Sequence, residues 1–120
     1  MLENFEEHTP ELNDDELKLI PLLIAGFKSY NKDNTIKSNK VVERLNNHLI
    51  ANNYKIKLTD ARLRKLVNHI RTNGLLPLMA SSKGYYVSFD KKDIESQIKS
   101  LKQRANSING CAEGLKKFIK

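Results

Sequence analysis

The sequence predicts an α+β fold that is mainly helical, and three observations carry that prediction. Apolar residues recur at helical spacing in two segments before residue 52. Residues 59–73 form a basic amphipathic helix that stops at Gly74. Residues 76–80 and 85–89 are two short runs that place apolar residues at alternate positions and flank a short turn, which is the pattern of a hairpin. Three helices closed by a basic hairpin are the parts of a winged helix-turn-helix, with a wing sheet of two or three strands. The chain is therefore expected to divide into a flexible arm at 1–11, a winged-helix domain at 12–89 and a long C-terminal helix at 90–120.

The first helix announces itself through its cap. Asn13 and Glu16 stand three apart as an Asn variant of the capping box, and Leu12 with Leu17 has the spacing of a hydrophobic staple. Asp14 and Asp15 fall where the helix dipole favours negative charge. Leu17, Ile20, Leu23, Ile24 and Phe27 then trace a stripe expected to be buried. Pro21 has no amide donor and would clash with the carbonyl of Leu17, so a kink or break is expected there.

A polar loop follows at 31–34, and Thr35-Ile36-Lys37 is a candidate first strand that three residues cannot establish. Ser38 is the expected N-cap of the second helix. Its inner face is Val41, Val42, Leu45, His48 and Leu49, with the His48 ring edge expected at the border of the core. Asn52-Asn53 ends this helix, and residues 54–58 lead to the next.

The third helix, residues 59–73, has Thr59 as N-cap and a second staple in Leu58 and Leu63. Leu63, Leu66, Val67 and Ile70 lie within roughly 100° of arc, the width of a core stripe. The opposite side carries Ala61, Arg64, Lys65, Asn68 and Thr72, with Arg62 and His69 on one shoulder. This is the chemistry that reading a major groove requires. Arg bonds guanine O6 and N7 as a fork, Asn does the same to adenine N6 and N7, and a small Ala admits close approach. The competing reading is a solvated face, in which the Asp60–Arg64 pair at i, i+4 contributes a few tenths of a kcal/mol.

In the hairpin, Leu76, Leu78 and Ala80 share one phase and Tyr85, Val87 and Phe89 the other strand's matching phase, so all six are expected inward. The turn Ser81-Ser82-Lys83-Gly84 places two hydroxyls and an ammonium at the tip, and Gly84 supplies a positive φ. Ser82, Lys83 and an outward Tyr86 are candidates for phosphate or sugar contact within a wing at 80–86.

The stretch Thr59–Val87, with Leu-Arg-Lys-Leu-Val-Asn-His-Ile-Arg followed by Ser-Ser-Lys-Gly-Tyr-Tyr-Val, and its continuation in Leu101-Lys-Gln-Arg-Ala-Asn-Ser-Ile resemble small phage and prophage winged-helix proteins. These are similar to the helix-turn-helix domain of biotin-repressor-type regulators. The resemblance covers roughly half the chain. It implies sequence-specific binding of double-stranded DNA by Thr59, Ala61, Arg62, Arg64, Lys65, Asn68, His69, Ser82, Lys83 and Tyr86. It also implies a role in phage transcription or replication, with no ligand or enzymatic site.

Charge agrees with a polyanionic partner. The net charge of +7 divides into −5 over residues 1–30 and +12 over the remainder. A second reading, a protein-interaction module docking its basic face on an acidic partner, fits the same asymmetry. No Ser-His-Asp order, glycine-rich phosphate loop or carboxylate pair can be assembled, so neither an enzyme nor a cofactor is expected. His8, His48, His69 and Cys111 have no metal-ligand spacing. Mean hydropathy of −0.55, a single cysteine, an acidic N-terminal segment and no long uninterrupted apolar run lead to the expectation of a soluble, cytoplasmic protein without a membrane partner.

From Asp90 the pattern changes. Ile94, Ile98, Leu101, Ala105, Ile108, Ala112 and Leu115 repeat at alternating intervals of four and three, continuing to Ile119, as a heptad seam. Gly110 and Gly114 lie away from the seam and each weakens a helix by about 1 kcal/mol relative to Ala, which leaves room for fraying after Asn109. Two fates are open to the seam: a homodimer interface, which would set two recognition helices on successive half-sites, or a fold-back onto the core.

Overall fold

The computed structural model describes residues 10–119, so the expected arm at 1–11 lies outside the described residues except for Pro10 and Glu11. Along the chain run α1 (Asp14–Leu17), α2 (Ile20–Phe27), α3 (Ser38–Ala51), α4 (Asp60–Thr72), β1 (Leu78–Ser81), β2 (Gly84–Val87) and α5 (Lys91–Lys116). This is an α+β chain, mainly helical, with a two-stranded antiparallel sheet and a long last helix. It divides into two compact units, Met1–Ser88 and Phe89–Lys120.

In the first unit the Asn13 capping box forms: Glu16 N donates to Asn13 Oδ1 at 2.8 Å and Asn13 N to Glu16 Oε1 at 3.1 Å. The kink or break expected at Pro21 is a break, and it falls just before the proline. The helix stops at Leu17 and restarts at Ile20, so Pro21 falls in the first turn of α2, where no amide donor is needed. The interruption also resets the phase. Leu17, expected inside, is 37% exposed, while Leu19 is buried in its place.

The α3 helix begins one residue earlier than expected, with Lys37 in the N-cap position and no side chain capping its first amides. Val41, Leu45 and Leu49 are buried, whereas His48 is exposed. Both α3 and α4 end in the same doubly bonded turn. Tyr54 N reaches Leu49 O and Asn53 N reaches Ile50 O, and Leu75 N reaches Ile70 O and Gly74 N reaches Arg71 O. Asn53 and Gly74 each take φ of 61° to make it, the left-handed conformation that Gly tolerates best and Asn next best. Between the two helices Asn46 clamps the connection, accepting from Leu58 N at 2.7 Å and donating to Leu58 O at 2.9 Å.

The core gathers Leu19, Ile20, Leu23 and Phe27 with Val41, Leu45 and Leu49, the α4 stripe Leu63, Leu66, Val67 and Ile70, and Leu76, Leu78 and Val87 from the hairpin. The four predicted α4 core residues are all buried. In the sheet Leu78 pairs with Val87, Met79 with Tyr86, Ala80 with Tyr85 and Ser81 with Gly84. The turn is therefore two residues, Ser82 and Lys83, instead of four. One inward assignment needs correction, since Phe89 is 76% exposed because pairing stops at Val87; Met79, out of phase with Leu78, is buried as well. Tyr85 does turn inward and meets Phe27 edge-on, with centroids 5.6 Å apart.

The candidate first strand is a single bridge. Ile36 and Tyr85 exchange both backbone bonds, Ile36 N to Tyr85 O at 2.9 Å and Tyr85 N to Ile36 O at 2.7 Å. The bridge explains Gly84. A Cβ there would lie 2.5 Å from Ile36 O, and the backbone φ is 131°, so both space and conformation call for glycine.

In the second unit Asp90 caps α5 by accepting from Lys92 N at 2.9 Å. The helix runs unbroken through Asn109, Gly110 and Gly114 to Lys116, and none of its residues is buried. Among the described residues no helix is long and apolar enough to cross a membrane.

Candidate nucleic-acid interface

The outer face of α4 starts from its cap, Thr59, whose hydroxyl accepts from Arg62 N at 3.2 Å. Core burial of Leu63, Leu66, Val67 and Ile70 fixes the rotation of the helix, and the residues left facing out follow from it. Arg64 and Asn68 are exposed one turn apart, Ala61 and His69 are half-buried beside them, and Thr72 continues the exposed row. Arg64 makes an ion pair with Asp60 at 2.9 Å, with both side chains about half exposed, so solvent screening keeps it weak and easily exchanged.

Arg62 is a different residue from the one the sequence suggested. Its Nε and Nη2 take both oxygens of Glu16, at 2.7 and 2.5 Å. Nη1 donates to Pro10 O at 2.6 Å and Nη2 to Glu11 O at 3.2 Å. The pair is largely buried, 18% and 8% exposed at the side chains. The guanidinium holds the Glu16 carboxyl below the ordinary carboxylate range even though burial pushes the other way. Arg62 is thus withdrawn from the group of base-reading candidates and serves as a lock between α4, α1 and the segment before it. Lys65 is also largely covered, 14% exposed, and lies 3.7 Å from the carboxylate of Glu11.

At the hairpin tip, Ser82 and Lys83 are exposed, as expected, and Tyr86 is half-buried. Ser81 Oγ braces the turn by donating to Gly84 O at 3.1 Å and accepting from Lys83 N at 3.2 Å. Thr35 Oγ1 ties the tip to the bridge segment through Lys83 O at 2.8 Å. The turn is therefore held from two sides, which fixes where its exposed ammonium and hydroxyl point of attachment lies.

What the sequence did not bring together is the meeting of three segments. Lys37, Ser38 and Asn39 at the start of α3, Arg64 of α4, and Ala80, Ser81, Ser82, Gly84 and Tyr85 of the hairpin line one open cleft of about 350 Å³. It holds two cationic side chains, hydroxyls and the uncapped first amides of a 14-residue helix. Such a lining suits a phosphate oxygen. The only sequence trace of it is the basic Lys37 beside Ser38. Thr59 lies at the α4 N-terminus outside this lining, and Lys83 is one residue from it.

Among the described residues no group of three His, Cys, Asp or Glu side chains is placed to hold a metal ion. In comparisons with known proteins, the chain matches no family model, no curated protein and no solved structure.

Proposed function

We propose that this chain is a winged-helix protein that binds double-stranded DNA, with α4 in the major groove and the Ser82–Lys83 turn on the backbone. The observation that carries the reading is the convergence of Arg64, the α3 N-terminus with Lys37, and the hairpin turn on one cleft. A base-reading side chain and phosphate-binding groups from separate segments then line one cleft, and helix-turn-helix proteins use such a combination to fix register and specificity together. The three-part wing, β1, β2 and the Ile36 bridge, supports the same reading, since it holds the turn beside α4. The resemblance through residues 59–87 and into residues 101–108 points to phage or prophage transcription or replication as the setting.

The test is fluorescence anisotropy on mixed duplex DNA across a salt series. Binding should weaken with salt, because displaced counterions drive the phosphate term. Arg64→Ala and Asn68→Ala should each cost about 1–3 kcal/mol in discrimination among sites, while Lys83→Ala should weaken binding alike on all sequences and lower the salt slope by about one. Flat anisotropy at low salt from a folded protein refutes the proposal.

A second reading, protein docking, is favoured by one observation. An open apolar groove of about 410 Å³ runs between α2 and α3, lined by Leu22, Leu23, Phe27, Val41 and Leu45, with Arg44 and His48 at its rim. The same titration decides between the two, since docking requires no affinity for duplex.

A further inference from the structure

The α5 helix is 26 residues long and buries none of them. Ile98, Leu101, Ile108 and Leu115 are 46, 40, 67 and 65% exposed. Helices draw most of their stability in water from packing an apolar face, and this one also carries Gly110 and Gly114. Its seam therefore calls for a partner. In heptad terms Ile98, Ala105 and Ala112 occupy a, and Ile94, Leu101, Ile108 and Leu115 occupy d.

We propose that α5 pairs with α5 of a second copy of this chain in an antiparallel coiled coil. The distribution of large and small residues selects the orientation. Run antiparallel, Ile98 meets the partner's Leu115, Leu101 meets the partner's Ala112, and Ala105 meets the partner's Ile108. Symmetry repeats the three layers. Every alanine then faces an isoleucine or leucine, so no layer is built from two alanines. Run parallel, Ala105 faces Ala105 and Ala112 faces Ala112, leaving two underfilled layers whose cavities oppose association.

Charge selects the same way. In the antiparallel register Glu95 lies beside the partner's Lys116, at both ends of the pair, where e and e positions adjoin. In the parallel one Glu95 lies across from the partner's Asp90, a like-charge contact of the kind that disfavours an orientation. Lys116 already holds an exposed ion pair with Glu113 at 2.8 Å, so it sits on a helix face where a second carboxylate is readily shared. The two chains enter the coil from opposite ends, with their Lys91 residues about 46 Å apart along the axis at 1.5 Å per residue. This inference does not depend on the DNA reading.

The experiment uses the full chain. Cys111 is exposed, so it is first changed to Ser, and nitroxide labels are placed by Ser96→Cys or Asn106→Cys, both exposed positions. Pulsed dipolar spectroscopy should give Asn106 labels level with one another and Ser96 labels separated by about 30 Å along the axis. Equal short distances at both sites, the parallel result, overturn the proposal, as does a chain that sediments as a monomer at every concentration. A charge swap provides a second readout. Glu95→Lys and Lys116→Glu should each weaken the dimer on the order of tenfold through two reversed pairs, and the double variant should recover. Failure of the double variant to recover overturns the antiparallel register.

Discussion

Replacing Arg62 by Met removes a guanidinium that serves Glu16 through two nitrogens and two backbone carbonyls besides, while keeping most of the side chain's packing volume. Glu16 would remain 8% exposed at the side chain with the Asn13 amide as its surviving partner. Removing one member of a buried ion pair costs about 3–5 kcal/mol, because the other charge stays desolvated. Arg62 keeps a solvent edge, 18% exposed, which lets water reach the site, so the lower end, about 3 kcal/mol, is expected. That is a large part of the 5–15 kcal/mol typical of a small domain. The double change Glu16→Met with Arg62→Met should return to within about 1 kcal/mol of the parent, since no lone charge is left inside.

The pH dependence gives this prediction its sign. In the parent the Glu16 pKa is lowered on folding, chiefly by the bond from Arg62. The pair therefore contributes stability fully above the ordinary glutamate value, and that contribution is lost as pH falls through the lower folded value. In the Arg62→Met variant only burial and the Asn13 bond act on Glu16, so acid neutralises a charge that was costing stability. Urea unfolding should show the deficit largest at neutral pH and narrowing in acid. A neutral-pH cost below about 0.5 kcal/mol, the range of an ordinary surface change, refutes the lock. So does a loss of duplex affinity by Arg62→Met, under folding conditions, as large as that of Arg64→Ala.

Two further predictions concern the scaffold of the site. Gly84→Ala places a Cβ 2.5 Å from Ile36 O at a φ of 131° and should cost at least about 2 kcal/mol from strain and a lost bridge, seen as a fall in the thermal midpoint. A midpoint equal to the parent's removes the close-approach argument. Asn46→Ala leaves both backbone groups of the buried Leu58 without their side-chain partner and should cost about 1–3 kcal/mol in urea unfolding. It should also speed amide exchange at Leu58, and unchanged exchange would refute the clamp.

Several local signals in the sequence are legible, although the Ser38 cap is not among those that form. The Asn13 box, the Thr59 cap, the Gly74 stop and the α4 stripe each depend on residues within one or two turns, and each forms. The errors share a cause. The break expected at Pro21 falls before it, between Leu17 and Ile20, and the buried position moves from Leu17 to Leu19. Phase assigned Phe89 inward, but the ladder had ended two residues before it. The Asn46 clamp and the Ile36–Tyr85 bridge join residues far apart in the chain, and a pattern of types at fixed spacing has no term for that.

Arg62 shows why a charge count alone overstates a binding face. Its position on a shoulder of the helix was legible, but its partner Glu16 was already assigned to a capping box, and one carboxylate can serve both. The acidic start and basic remainder of the sequence are therefore not two separate surfaces. Glu16 neutralises Arg62 and Glu11 approaches Lys65, so part of the −5 and +12 division closes within the fold. The cationic surface of α4 shrinks towards Arg64, and further cations beside it come from Lys37 and Lys83, on other segments. A face built that way depends on the α3 start and the hairpin turn staying in place. Affinity should then be sensitive to Gly84 and Ile36, whose bridge holds the turn in place, as well as to the side chains that contact the duplex.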